Sequence, residues 1–162
     1  MARGAWTRRG ALGLIPALAA CGFAPVRGPA GPAAGLQGLI DVVPPDDATG
    51  FALVRALEDR LGLPGDARWL LSADIYLEAE GIGVTADQSV TRTTLLARVP
   101  WRLTGADGTV AAQGEARGFT GYSATSTSVA TLAARRDAEE RLMRIVADEI
   151  VADLLATSAA WR

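Results

Sequence analysis

The chain has 162 residues, of which 49% are hydrophobic: enough for one hydrophobic core, and too apolar for a disordered chain. It carries 16 basic and 18 acidic residues, one Cys and no His, which removes the commonest general base, an intrachain disulfide and a zinc knuckle from consideration. Three of the arginines precede residue 21, so 13 basic residues remain against 18 acidic ones, a net charge of −5 that argues against a nucleic-acid partner.

Residues 1–20 predict a lipoprotein signal peptide. Arg3, Arg8 and Arg9 give it a positive start, and the apolar run from Gly10 to Ala20 is too short to span a bilayer. The run ends in Leu18-Ala19-Ala20-Cys21, which resembles a bacterial lipobox: a branched apolar residue, two small residues, then the cysteine. That resemblance implies signal-peptidase recognition through Leu18, Ala19 and Ala20. It also implies covalent lipid on Cys21, an S-diacylglycerol and an N-acyl chain such as palmitate. Each buried methylene adds ~0.8 kcal/mol, so two or three chains make a durable membrane anchor where one is marginal. Gly22 in place of Asp after the cysteine favours the outer membrane. Residues 21–37 contain Pro25, Pro29 and Pro32 and predict a lipidated tether, followed by a single domain over 38–158.

Leu39, Ile40, Val42 and Val43 predict a first strand, stopped by Pro44-Pro45. Asp46 or Asp47 then serves as N-cap of a helix with Phe51, Val54, Leu57 and Leu61 on its apolar stripe and Gly62 at its end. From Trp69 to Glu80 the residues alternate: Trp69, Leu71, Ala73, Ile75, Leu77 and Ala79 on one face, Asp74, Tyr76, Glu78 and Glu80 among those on the other. That period predicts one long half-buried strand, followed by a loop over 81–88. The next strand places Leu95, Ala97, Val99, Trp101 and Leu103 inward and Arg92, Arg98 and Arg102 outward, while Pro100 predicts an edge position or a bulge. Asp107-Gly108 signals a hairpin into a third long strand over roughly residues 109–123. A Ser/Thr-rich link leads to a long helix whose stripe includes Leu132, Leu142, Ile145, Val146, Ile150 and Leu154. Asp137–Arg141 and Glu140–Arg144 are spaced as i,i+4 pairs on its surface. The order β-α-β-β-β-α predicts an α+β two-layer sandwich: a mostly antiparallel sheet of about four strands, covered on one face by two helices.

The stretches Cys21-Gly22-Phe23-Ala24-Pro25-Val26, LVRALEDRLG (53–62), GIGVTADQSVTR (81–92) and residues 121–151 together resemble the LPS-assembly lipoprotein family, LptE. The resemblance implies a small subunit of the outer-membrane LPS translocon, lipid-anchored on the periplasmic face. Such a subunit plugs a β-barrel protein, helps it assemble and binds LPS. It transfers no catalytic residue and no metal or other cofactor. LPS carries phosphates, and guanidinium forks suit them. Arg92, Arg98 and Arg102 on the sheet, with Arg135, Arg136 and Arg141 on the long helix, are therefore the candidate LPS contacts. The commoner fate of an exposed Arg is solvation or pairing with a neighbouring acid.

Two other classes compete. One is an accessory lipoprotein of another envelope lipid-trafficking complex. The other is an enzyme using Glu78, Glu80 and Asp74 as paired carboxylates; alternating charge on a wet strand face disfavours it.

Overall fold

The computed structural model describes residues 35–43, 46–84, 90–124 and 127–161. Leu18, Ala19, Ala20, Cys21 and the prolines Pro44 and Pro45 lie outside them. The elements run β1 (Ile40–Val42), α1 (Ala48–Leu61), β2 (Trp69–Ala73), β3 (Tyr76–Val84), β4 (Val90–Gly105), β5 (Val110–Ser123) and α2 (Ser128–Trp161). The fold is α+β, with both helices on one face of the sheet.

The sheet is mostly antiparallel, as expected, but it has five strands where about four were expected, and its β1–β2 pair is parallel, so it is mixed. β1 lies parallel to β2, because α1 returns the chain to the same end of the sheet. β4 is the central strand, with β2 and β3 in succession along one side and β5 along the other. The expected single strand from Trp69 is divided. Trp69 faces Gly105 and Tyr76 faces Arg98, so both strands advance seven residues across the division and the register is unchanged. The division lies opposite Pro100. The carbonyl of Pro100 accepts the amide of Asp74 at 3.1 Å, but the proline ring has no N–H to return. Pro100 therefore sits in the central strand, neither at an edge nor at a bulge, and the missing donor breaks the ladder locally. β3 also continues through Gly81 to Val84, where a loop was expected, with shifted register at Gly81–Gly83 and Gly83–Val84.

α1 begins at Asp47, whose Oδ1 accepts the amide of Gly50 at 2.7 Å, and ends at Gly62. Gly62 holds φ at 79°, a left-handed conformation that costs glycine little, and its amide closes on the carbonyl of Glu58. The buried stripe of α1 is Leu53, Ala56, Leu57 and Leu61. Phe51, expected on it, is 60% exposed. The long helix α2 buries Leu142, Met143, Val146, Ala147, Ile150 and Leu154. Leu132 and Ile145 were expected inside and are 50% and 42% exposed. Leu132 belongs to the first ten residues of α2, none of which is buried.

The inward residues of β4, from Leu95 to Leu103, are all buried as their alternation requires. Two glycines of β5 make room for what packs there. A Cβ at Gly114 would lie 2.8 Å from the Trp101 ring, and one at Gly118 would lie 3.1 Å from Leu142 of α2. Arg60 ties the helices together: its Nε donates to Asp148 Oδ1 at 2.5 Å and its Nη2 to the carbonyl of Arg144. That bond to Asp148 raises the pKa of Arg60.

Candidate functional site

With both helices on one side, the opposite sheet face has no covering element among the described residues. The side chains on it come from alternate positions of β2, β3, β4 and β5, and the register sets them in rows. Glu78, Leu96 and Phe119 form one row; Tyr76, Arg98 and Arg117 form the next; Pro100 and Glu115 are paired in the row beyond, and Arg102 faces Gln113 after that.

The best-organised part is the middle. The Arg98 guanidinium lies over the Tyr76 ring, 4.5 Å from its centroid. Its Nη1 donates to Glu115 Oε2 at 3.3 Å, and Arg117 Nε donates to the other oxygen, Oε1, at 2.7 Å. One carboxylate thus holds two guanidinium groups in place. These bonds, first that from Arg117, lower the pKa of Glu115. Phe119 projects beside them and is 72% exposed. A shallow trough of about 470 Å³ runs between Tyr76, Glu78, Leu96, Arg98, Arg117 and Phe119. A second, of about 580 Å³, lies alongside it over Asp74, Pro100, Arg102 and Glu115.

Arg92, Arg98 and Arg102 are all exposed on this outward face of β4. They do not converge on one point. At ~3.3 Å per residue, Arg92 and Arg98 are about 20 Å apart along the strand and Arg98 and Arg102 about 13 Å. Arg92 and Arg102 make no ion pair among the described residues, whereas Arg98 is held by Glu115. The other three candidates are on α2, on the far side of the sheet. Arg135 donates to Glu139 at 2.8 Å, which raises its pKa. Arg141 pairs with Asp137, as its spacing predicts, and also donates to the carbonyl of Gly121 at 3.2 Å. β5 pairs only with β4, so this contact covers a carbonyl at a sheet edge. Arg136 is exposed with no ion pair among the described residues, and Glu140–Arg144 does not form as a bridge there. The six arginines therefore make two separate groups.

Glu115, Arg117, Phe119 and Tyr76 were missed as site residues. Their signal is the spacing Glu115, Arg117, Phe119 at every second residue of β5, which places all three on one face. The carboxylates Asp74, Glu78 and Glu80 are exposed along β2–β3, and no cleft encloses them as a pair. Among the described residues no three His, Cys, Asp or Glu side chains are grouped to hold a metal ion, and no helix is long and apolar enough to cross a membrane.

The comparisons with known proteins agree with this architecture. A structure from Caulobacter crescentus, described as that of a lipoprotein, is 29% identical, with a TM-score of 0.64 over 82% of this chain and 98% of its own. Rare lipoprotein B from Shewanella oneidensis is 13% identical, with a TM-score of 0.55 over 74% of this chain and 94% of its own. Lipoprotein B from Nitrosomonas europaea is 16% identical, with a TM-score of 0.54 over 75% of this chain and 83% of its own. At those last two identities the likeness is one of fold. The comparison with curated proteins finds no match. The family model for lipopolysaccharide assembly, LptE, matches residues 38–154, nearly the whole of the described fold. No enzymatic family is indicated, and the chain belongs to the LptE lipopolysaccharide-assembly family.

Proposed function

We propose that this chain is an outer-membrane lipoprotein subunit of the LPS translocon, anchored through lipid on Cys21 at the periplasmic face. In this reading it plugs a β-barrel protein, supports that barrel's assembly and binds LPS for delivery to the surface. Family membership supports a role in LPS assembly. The observation that carries the finer reading is the uncovered sheet face. Arg92 and Arg102, toward its two ends, make no ion pair among the described residues, and the polar lumen of a barrel offers such groups partners. Arg92, Arg98 and Arg102 on that face are proposed contacts for LPS phosphates or barrel carboxylates. Arg135, Arg136 and Arg141 are a second group, reached from the helix side. Detergent extraction and a pull-down through a C-terminal tag test the assignment. A large outer-membrane barrel should co-purify. An inner-membrane transporter in its place would mean that the chain serves another envelope lipid-trafficking complex.

A further inference from the structure

The middle of the uncovered face has a composition that a dry protein contact does not explain. Phe119 is 72% exposed, and its cross-strand neighbour Leu96 is half-buried. Four charged side chains surround this apolar strip: Glu78 in the same row, Arg98 and Arg117 in the next, and Glu115 beyond. The core of a protein interface is depleted in charge, because charged groups lose their water there without full repayment. A ligand with an apolar face and a rim of hydroxyls offsets that loss by returning hydrogen bonds to the charged groups.

We propose that this trough binds a pyranose ring of a saccharide, the C–H face of the sugar stacked on Phe119 and its hydroxyls bonded to Glu78, Arg98 and Arg117. The chemistry is complementary group by group. A sugar hydroxyl both donates and accepts, so it can give to the Glu78 carboxylate and receive from a guanidinium N–H. The two guanidinium groups are already positioned: Arg98 by the Tyr76 ring at 4.5 Å and by Glu115 at 3.3 Å, Arg117 by Glu115 at 2.7 Å. These contacts restrict part of their rotamer freedom before a ligand arrives, which lowers the cost of binding. The balance of two acids and two arginines suits an uncharged or weakly charged ring better than a phosphate. Glu78 and Phe119 lie two strand spacings apart, about 10 Å, which leaves room for one ring between them. The trough of about 470 Å³ holds one or two such rings. The inference rests on the proposed LPS-handling role only for the source of the sugar, the saccharide part of that molecule.

The test is saturation-transfer NMR on the full chain in detergent. The probe is the saccharide released from LPS by mild acid and freed of its acylated part, with intact LPS in a second arm. Saturating protein aromatic protons should label ring C–H protons of the probe. The signal should disappear in Phe119→Ala and persist in Phe51→Ala, whose ring is also exposed but lies on α1. Glu78→Gln and Arg117→Ala should each weaken binding by roughly three- to tenfold, which keeps the test open if Phe119→Ala fails to fold. Equal labelling of parent and Phe119→Ala would overturn the proposal. So would Phe119→Ala losing a co-purifying protein while keeping the sugar, which makes the patch a protein contact. Binding of intact LPS without binding of the free saccharide overturns the sugar site and leaves the LPS-binding reading standing. Binding of neither overturns both.

Discussion

Glu115 is the residue that joins Arg98 and Arg117 in the middle of the outward face. It takes one bond from Arg117 and one from Arg98, and these hold its carboxyl below the usual glutamate range. The folded protein thus binds this proton less readily than the unfolded chain does. Its contribution to stability is present above the ordinary glutamate value and is lost as pH falls through the lower folded-state value. A carbon-detected NMR titration should therefore place the Glu115 midpoint below that of a free glutamate, and Arg117→Ala should move it back up. An unchanged midpoint in that variant would show that Arg117 does not hold the carboxylate in solution. On the inward side the sensitive position is Gly114. Its missing Cβ admits the Trp101 ring, so Gly114→Ala should destabilise the domain by about 1–3 kcal/mol in a denaturant titration. Substitution of Gly65, with open space around its Cβ position, provides the comparison.

Among the elements, β4 organises the rest, and Pro100 interrupts its ladder opposite the division between β2 and β3. Replacing Pro100 by Ala supplies an amide facing the Asp74 segment. The added hydrogen bond is worth about 0.5–1.5 kcal/mol, and the greater freedom of the unfolded chain costs about 0.4–1 kcal/mol. Overall stability should change little, but the new amide at residue 100 should be protected from hydrogen exchange. Rapid exchange there would mean that the gap between β2 and β3 has another cause. In α2, Leu142 is fully buried beneath Gly118, and Leu142→Ala should cost ~2–5 kcal/mol, whereas Leu132→Ala, half-exposed, should cost much less. Period-two alternation made β4 readable from sequence, because a strand buried on one face repeats every second residue. The Asp47 cap and Gly62 stop were readable for the same kind of local reason. Tertiary context decided the remainder. Phe51 satisfies helical spacing but falls on the flank of α1, since the buried stripe, which faces chiefly α2, is centred on Leu53 and Leu57. The parallel β1–β2 pair depends on how α1 returns the chain, which no local pattern encodes. The Arg98–Glu115–Arg117 network needs the register of β4 against β5, so sequence placed Arg98 on the correct face without its partners.

At the scale of the molecule, two helices cover one face of the sheet and leave a patterned polar face on the other. If that face meets a barrel or LPS, its charge matters more to assembly than to folding. Changing Arg92, Arg98 and Arg102 together to Glu should leave the thermal midpoint within roughly a few degrees of the parent, since exposed ion pairs contribute about 0–1 kcal/mol each. Surface LPS and correctly assembled barrel should both fall, with LPS synthesis unchanged. Normal levels of both would make those arginines solvated surface and turn attention to Arg135, Arg136 and Arg141. The most direct measurement is photo-crosslinking in intact cells from a probe placed at Arg102, on the outward face, and from another placed at Arg55, on the exposed side of α1. The Arg102 probe should yield an adduct containing an outer-membrane β-barrel protein. A barrel adduct from Arg55 alone, or an Arg102 adduct with an inner-membrane transporter, would contradict the proposed role of this face.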